Sequence, residues 1–212
     1  MDIITDYEKL SSRSEEIDTR KDNKILREII LALKNEISER NLTGLAAPQI
    51  GYEKRVFVIN FKGKLVTYVN PVITSAKGMQ LSREDCPSFP DKQFIRPRYT
   101  EIQVMFQNPM GKANSQKLVG LASVIFQELI DHLDGLLLPD LSLEIDENFD
   151  SATDDERDEV IKEYLNSLDV ERKNIEKEIE DDAEARQMRD AVDFMNSVKQ
   201  GKTTLQVETV KV

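Results

Sequence analysis

One cysteine and one histidine stand in a chain of 212 residues. A lone Cys86 excludes an internal disulfide and any zinc knot built from several cysteines, and it fits a reducing, intracellular setting. With His132 the only imidazole, there is no second one to serve as base for Cys86 or Ser88, which argues against a serine or cysteine hydrolase. Long apolar runs are also missing: IILAL stops at five residues, where a bilayer span needs ~20. The opening MDIITDYEKL has no basic stretch leading into an apolar one, so no secretory signal is expected, and the protein reads as soluble and cytoplasmic, in a bacterium or a host cell. No G-x-x-x-x-G-K-[ST] phosphate loop occurs. Positive charge is scarce in one place only. Residues 1–140 carry 19 acidic and 19 basic side chains, while residues 141–212 carry 21 acidic and 10 basic, so the net charge of -11 belongs to the last third. Phosphate contacts need clustered Lys and Arg, so this acidity argues against a nucleic acid partner and favours solubility and a basic protein partner.

A chain of this length buries a real core as one domain, or as one domain with an appendage. Residues 22–40 place Ile25, Leu26, Ile29, Ile30, Leu33 and Ile37 at helical spacing behind Asp22, a natural N-cap. GLAAPQIG is too rich in small residues, with a central proline, to be regular. RVFVINF and KLVTYVNPVI, parted by KGK, predict a hairpin, and SREDCPSFPDKQFIRP, with three prolines, predicts mostly loop. YTEIQVMFQN alternates like a half-buried strand, PMGK turns the chain, and SQKLVG returns. A helix is expected over residues 121–133, closed by Gly135. Residues 141–153 read as an acidic linker whose Ser or Thr caps a following helix. Residues 154–199 contain no Pro or Gly. Ile161, Leu165, Leu168, Ile175 and Ile179 recur there at helical steps, followed by Met188, Ala191, Val192, Met195 and Val198, which predicts a helical arm over 154–212. The closing TTLQVETVKV alternates like a strand or an ordered tail.

Three irregular stretches fall in a telling order. TGLAAPQIG, EDCPS and QELIDHLDG resemble the three signature motifs of peptide deformylases, metal hydrolases that remove the formyl group from nascent N-terminal methionine. The second and third motifs usually read E-G-C-L-S and Q-H-E-x-D-H-L-x-G. The resemblance spans roughly residues 1–140 and implies a compact α+β domain, with antiparallel sheets around a central helix carrying the third motif. It also implies metal ligation by Cys86 and His132, with Glu128 standing where the first motif histidine should be. Carboxylate oxygen is an acceptable zinc ligand, so Cys86, Glu128 and His132 are the candidate metal set. The bland reading is an i,i+4 helix pair beside a small buried thiol.

Other positions depart from the pattern. The family's proton-relaying glutamate is replaced by Leu129, which with Ile125 and Leu133 completes an apolar stripe. The family's backbone oxyanion donor after the cysteine is replaced by Pro87, which has no N–H, although its partner Gln49 is retained. Asp85 stands in place of the motif glycine. Gly44 and Gln49 are the candidate substrate-binding residues, and Gly44 and Gly51 are expected to serve turns. Arg96 and Arg98 flank Pro97 and could bind a carboxylate, yet two such arginines read more readily as solvated surface cations.

With ligand, base and oxyanion donor all altered, the sequence favours a non-catalytic deformylase-like structural or interaction protein without a cofactor. Its arm, over 154–212, would engage a protein partner within a homo-oligomer or larger assembly, a bacteriophage virion or tail among the settings, with no nucleic acid or membrane partner. The alternative is a divergent metal-dependent peptide deformylase with Zn or Fe on Cys86, Glu128 and His132, and with Asp131 or a water recruited as base.

Overall fold

The structure is a computed structural model that describes residues 2–178. Its centre is strand β2 (Val56–Phe61), the VFVINF run, whose first four residues are all buried. Alternation sends Phe57 and Ile59 to one face and Val56 and Val58 to the other, so a near-continuous apolar strand signals cover on both sides. After the one-turn helix α1 (Tyr7–Leu10), the cover is two helices. Helix α2 (Asn23–Arg40) buries Leu26, Ile29, Ile30, Leu33 and Ile37 with Val56 and Val58. Helix α3 (Leu121–Asp134) buries Ile125, Phe126, Leu129 and Leu133 with Phe57 and Ile59. Phe126 meets Phe57 and Tyr68 edge-on, with ring centroids 5.0 and 5.2 Å apart, a geometry that adds to simple burial.

The sheet around β2 has five antiparallel strands in the order β1-β2-β3-β6-β7, with β1 at Gly44–Ala46, β3 at Lys64–Lys77, β6 at Glu101–Gln107 and β7 at Ala113–Val119. The β2–β3 hairpin turns at Lys62 and Gly63, both with positive φ, as a two-residue turn between right-twisted strands requires. Pro71 sits inside β3 where its pairing with β6 shifts register between Val69 and Val72. A bulge there removes the need for the missing N–H. Asp22 is the N-cap of α2 as expected, but its carboxylate accepts from the Asp18 N–H instead of the helix.

A second sheet, β4-β5-β8, holds β4 (Gln80–Glu84), β5 (Gln93–Arg98) and β8 (Leu143–Ile145). The proline-rich stretch expected to be mostly loop is therefore strand at both ends. Pro97 is tolerated because β8 pairs only with residues 93–95, leaving it at an unpaired edge. The one-turn helix α4 (Leu138–Leu141) leads into the segment expected to be an acidic linker, 141–153, which carries β8 and the short helix α5 (Glu147–Ser151). Backbone pairing with β5 holds it there despite its charge.

Helix α6 (Asp154–Glu178) follows. Thr153 and Glu156 start it reciprocally: the Glu156 carboxylate accepts from the Thr153 N–H at 2.8 Å, and the Thr153 hydroxyl accepts from the Glu156 N–H at 3.4 Å. The later expectations, at Ile179, Met188, Ala191, Val192, Met195, Val198 and TTLQVETVKV, lie outside the described residues. Among the described residues, no helix is long and apolar enough to cross a membrane.

Candidate metal centre

Helix α3 presents Glu128 and His132 one turn apart on one face, and the loop after β4 brings Cys86 against them. One ligand atom from each, sulfur, carboxylate oxygen and ring nitrogen, lies within 4.8 Å of the others. Cys86 Sγ is 3.2 Å from His132 Nε2. Cys86 and His132 are buried, and Glu128 is half-buried. His132 Nδ1 is a buried polar atom without a hydrogen-bond partner.

The surroundings tune these groups differently. Burial depresses His132 to about 4, against a smaller opposing effect of Asp131, so its imidazole is neutral, the form that ligates. Burial, with the charge of Glu84, lifts Glu128 to about 8. Burial and then the Glu128 carboxylate push the Cys86 thiol well up. Glu128 and Cys86 thus hold their protons at neutral pH until a cation displaces them. Thiolate, carboxylate and neutral imidazole are each accepted by Zn²⁺, and three such ligands with a fourth position open is the pattern of a catalytic zinc. The donor set fits a divalent metal ion.

Gln49 sits in the 3₁₀ turn Ala47–Ile50 after β1, almost fully buried. Its Oε1 accepts from the Ala46 N–H at 2.9 Å, which orients Nε2 toward Cys86 Sγ at 3.4 Å and Ser88 Oγ at 3.2 Å. Ser88 is 1 % exposed. Gly51 has φ 86, the turn expected of it. Gly44 does something else: a Cβ there would meet Leu129 Cδ1 at 2.8 Å and Ile125 Cγ2 at 3.3 Å, so its lack of a side chain admits helix α3 rather than a turn. Leu129, 2 % exposed, packs in the core with Ile125 and Leu133. Pro87 lies in the tight turn closed by the Phe89 N–H on the Cys86 carbonyl at 2.8 Å.

Of the two arginines expected on the surface, Arg98 is buried and Arg96 half-buried. Arg98, 3 % exposed, grips Glu84 with Nε at 2.8 Å and Nη2 at 2.7 Å, and its Nη1 donates to Asp131. Burial pulls the Arg98 guanidinium down, but Asp131 and Glu84 outweigh it and hold it above its ordinary value. Arg96 Nη1 lies 2.9 Å from the same Asp131 oxygen. Glu84 stands two residues before Cys86 and Asp131 one before His132, so Arg98 fastens together the two segments that carry the ligands. This also removes Asp131 as a recruited base, since its carboxylate is committed to two guanidinium groups. Sequence reasoning missed Glu84, Arg98 and Ser88 as parts of the site. The available signal was the glutamate of EDCPS, a buried-type position for a charge that must have a partner.

Residues 1–147 match the family of polypeptide deformylase. A peptide deformylase of Heliobacterium modesticaldum is 41% identical over 97 residues, covering 46% of this chain and 64% of that relative. One of Dictyoglomus turgidum is 31% identical over 134 residues, covering 63% and 84%. Among solved structures, the peptide deformylase of Thermotoga maritima superposes with TM-score 0.61 at 30% identity, covering 66% of this chain and 94% of that one. A probable peptide deformylase from Synechococcus phage S-SSM7 gives 0.60 at 36%, covering 66% and 97%. These matches overturn the expectation of a non-catalytic structural protein: relatives and structural neighbours alike bear the name of the enzyme, and it is the enzymatic alternative that they support.

Proposed function

The chain belongs to the polypeptide deformylase family, and from that premise we propose that it is a divergent metal-dependent peptide deformylase, acting on the formyl group of N-terminal methionine in the cytoplasm. The observation that carries the reading is the convergence of Cys86, Glu128 and His132 ligand atoms within 4.8 Å inside the family-matched region.

Cys86, Glu128 and His132 would hold the ion. When bound, a divalent metal there supplies Lewis-acid polarisation of a carbonyl and activation of water. The rest is done by the chain. Gln49, already turned toward Cys86 by the Ala46 N–H, offers an amide donor to the formyl oxygen as negative charge develops on it. Arg98 keeps the Cys86 loop and α3 in register through Glu84 and Asp131. Leu129 closes the inner wall with hydrocarbon and moves no proton, and Pro87 adds no N–H. Positioned acid–base help contributes typically ~10²–10⁴-fold, so turnover is expected to be slow by that order against a deformylase with a carboxylate at position 129.

The test is hydrolysis of a formyl-methionyl peptide by protein loaded with Zn²⁺, Fe²⁺ or Ni²⁺, beside His132→Ala. Slow, metal-dependent release of formate that His132→Ala abolishes is the expected result. Release that is unaffected by metal removal, or none above background, would refute it.

A further inference from the structure

The family match ends at residue 147, yet the chain continues straight into contacts with the strand that leads to Cys86. Arg83 donates from Nη1 and Nη2 to the two carboxylate oxygens of Asp150, at 2.7 and 2.8 Å, a bidentate grip with geometric as well as electrostatic content. Arg83 and Glu84 are consecutive on β4, so their side chains leave opposite faces. Arg83 reaches out to Asp150, Glu84 reaches in to Arg98, and Cys86 follows two residues later. The pair is about half exposed, and it ties Asp150 to the outer side of β4 near the end from which a metal ligand hangs.

Helix α6 begins four residues after Asp150. Arg157, paired with Asp154 at 3.2 Å, adds a second positive field at Asp150. Arg157, Ile161, Tyr164 and Leu168, at helical spacing, form the half-buried face of the helix. The Tyr164 hydroxyl donates to the Leu141 carbonyl at 2.7 Å, and its half-buried ring stands in the field of Arg96, Arg98 and Glu84. One end of this segment thus grips β4, and the other is tied to the Leu141 carbonyl within electrostatic reach of the ion network that joins the ligand-bearing segments.

We propose that residues 150–168 form a strap that holds the Cys86 and His132 segments in register, with Asp150 and Tyr164 as positioning residues for the metal-ligand set. The inference rests on the metal reading above and adds to it a part of the chain beyond the family match.

Cobalt(II) alone is the probe, titrated into the full chain, with affinity read by chelator competition and geometry read from the sulfur-to-cobalt charge-transfer band. Asp150→Arg is expected to weaken binding about three- to tenfold, at and below the low end of what outer-shell partners typically cost, and to shift the band. The double change Arg83→Asp with Asp150→Arg restores both, and Tyr164→Ala moves them in the same direction as Asp150→Arg. Asp150→Asn keeps the side-chain size and serves as a second variant should the reversal fail to fold. Thermal unfolding midpoints near the parent's separate positioning from loss of stability. Affinities and bands equal to the parent's in all variants would overturn the strap. A parent that takes up no cobalt would overturn the metal reading itself, and the strap with it.

Discussion

The two faces of α3 that meet near the site differ in what holds them. On the ligand face, Glu128 and His132 look toward Cys86, and an ion network of Arg98, Glu84, Asp131 and Arg96 ties that face to β4 and β5. On the adjoining face, Leu129 sits with Ile125 and Leu133 against Gly44 and the central strands. The first is polar and mutually constrained, so changing one member strands another. The second is packed hydrocarbon, in which a polar catalytic side chain can be replaced by an apolar one without disturbing the fold. A site built this way keeps its frame while its chemistry drifts, because the frame is specified by pairs and the chemistry by single residues.

The sharpest way to break this contrast is to rewrite the chemistry without touching the frame. Glu128→His with Leu129→Glu is expected to raise formyl-peptide turnover by about 10²-fold or more, the scale of a positioned acid–base group, measured as kcat on the metal-loaded protein. No gain would mean that the frame itself has lost its catalytic geometry. Arg98→Ala attacks the other side. Removing the cation leaves the buried Glu84 carboxylate unpaired and Asp131 with Arg96 alone, and breaking a buried pair typically costs ~3–5 kcal/mol, checked by urea unfolding. A smaller loss is expected from Gly44→Ala. Its new methyl meets Leu129 Cδ1 at 2.8 Å, and overpacking of this kind costs about 1–3 kcal/mol. Leu129→Ala in the same chain should relieve part of that clash, so the two changes should not add.

A gentler probe is pH. Glu128, lifted to about 8 by burial, is the uncharged acid over most of the neutral range in the metal-free protein, and the Cys86 thiol is held up as well. Metal uptake must release those protons, so apparent affinity should rise as pH increases from 6 to 8, roughly tenfold per unit for each proton released. His132, already neutral above about 4, contributes nothing to the slope in that window. Affinity independent of pH would mean that Glu128 or Cys86 is not a ligand.

Much of the frame was legible in the sequence because it is written in local periodicity. The stripe of Leu26, Ile29, Leu33 and Ile37 gave α2, the β-branched VFVINF gave the central strand, and Gly135 marked the end of α3. The candidate ligands were legible from the three motif-like stretches. The arginines were not. Arg96 and Arg98 look like ordinary surface cations until β5 is placed under α3, a relation between residues more than thirty positions apart that no periodicity encodes. β8 was missed for a similar reason: three residues in an acidic segment become a strand only because β5 offers an edge. The expectation of a non-catalytic protein rests on the joint alteration of ligand, base and oxyanion donor at Glu128, Leu129 and Pro87, whereas the match to enzymes across residues 1–147 supports the catalytic alternative.

The most direct measurement is metal content and formyl-peptide hydrolysis on one preparation of the full chain, before and after chelation. About one divalent ion per chain is expected, held through Cys86, Glu128 and His132 and lost in His132→Ala, with slow hydrolysis that follows the metal out and back. Protein that takes up no ion at any of several divalent metals, or that takes one up and cleaves no formyl peptide, would contradict it.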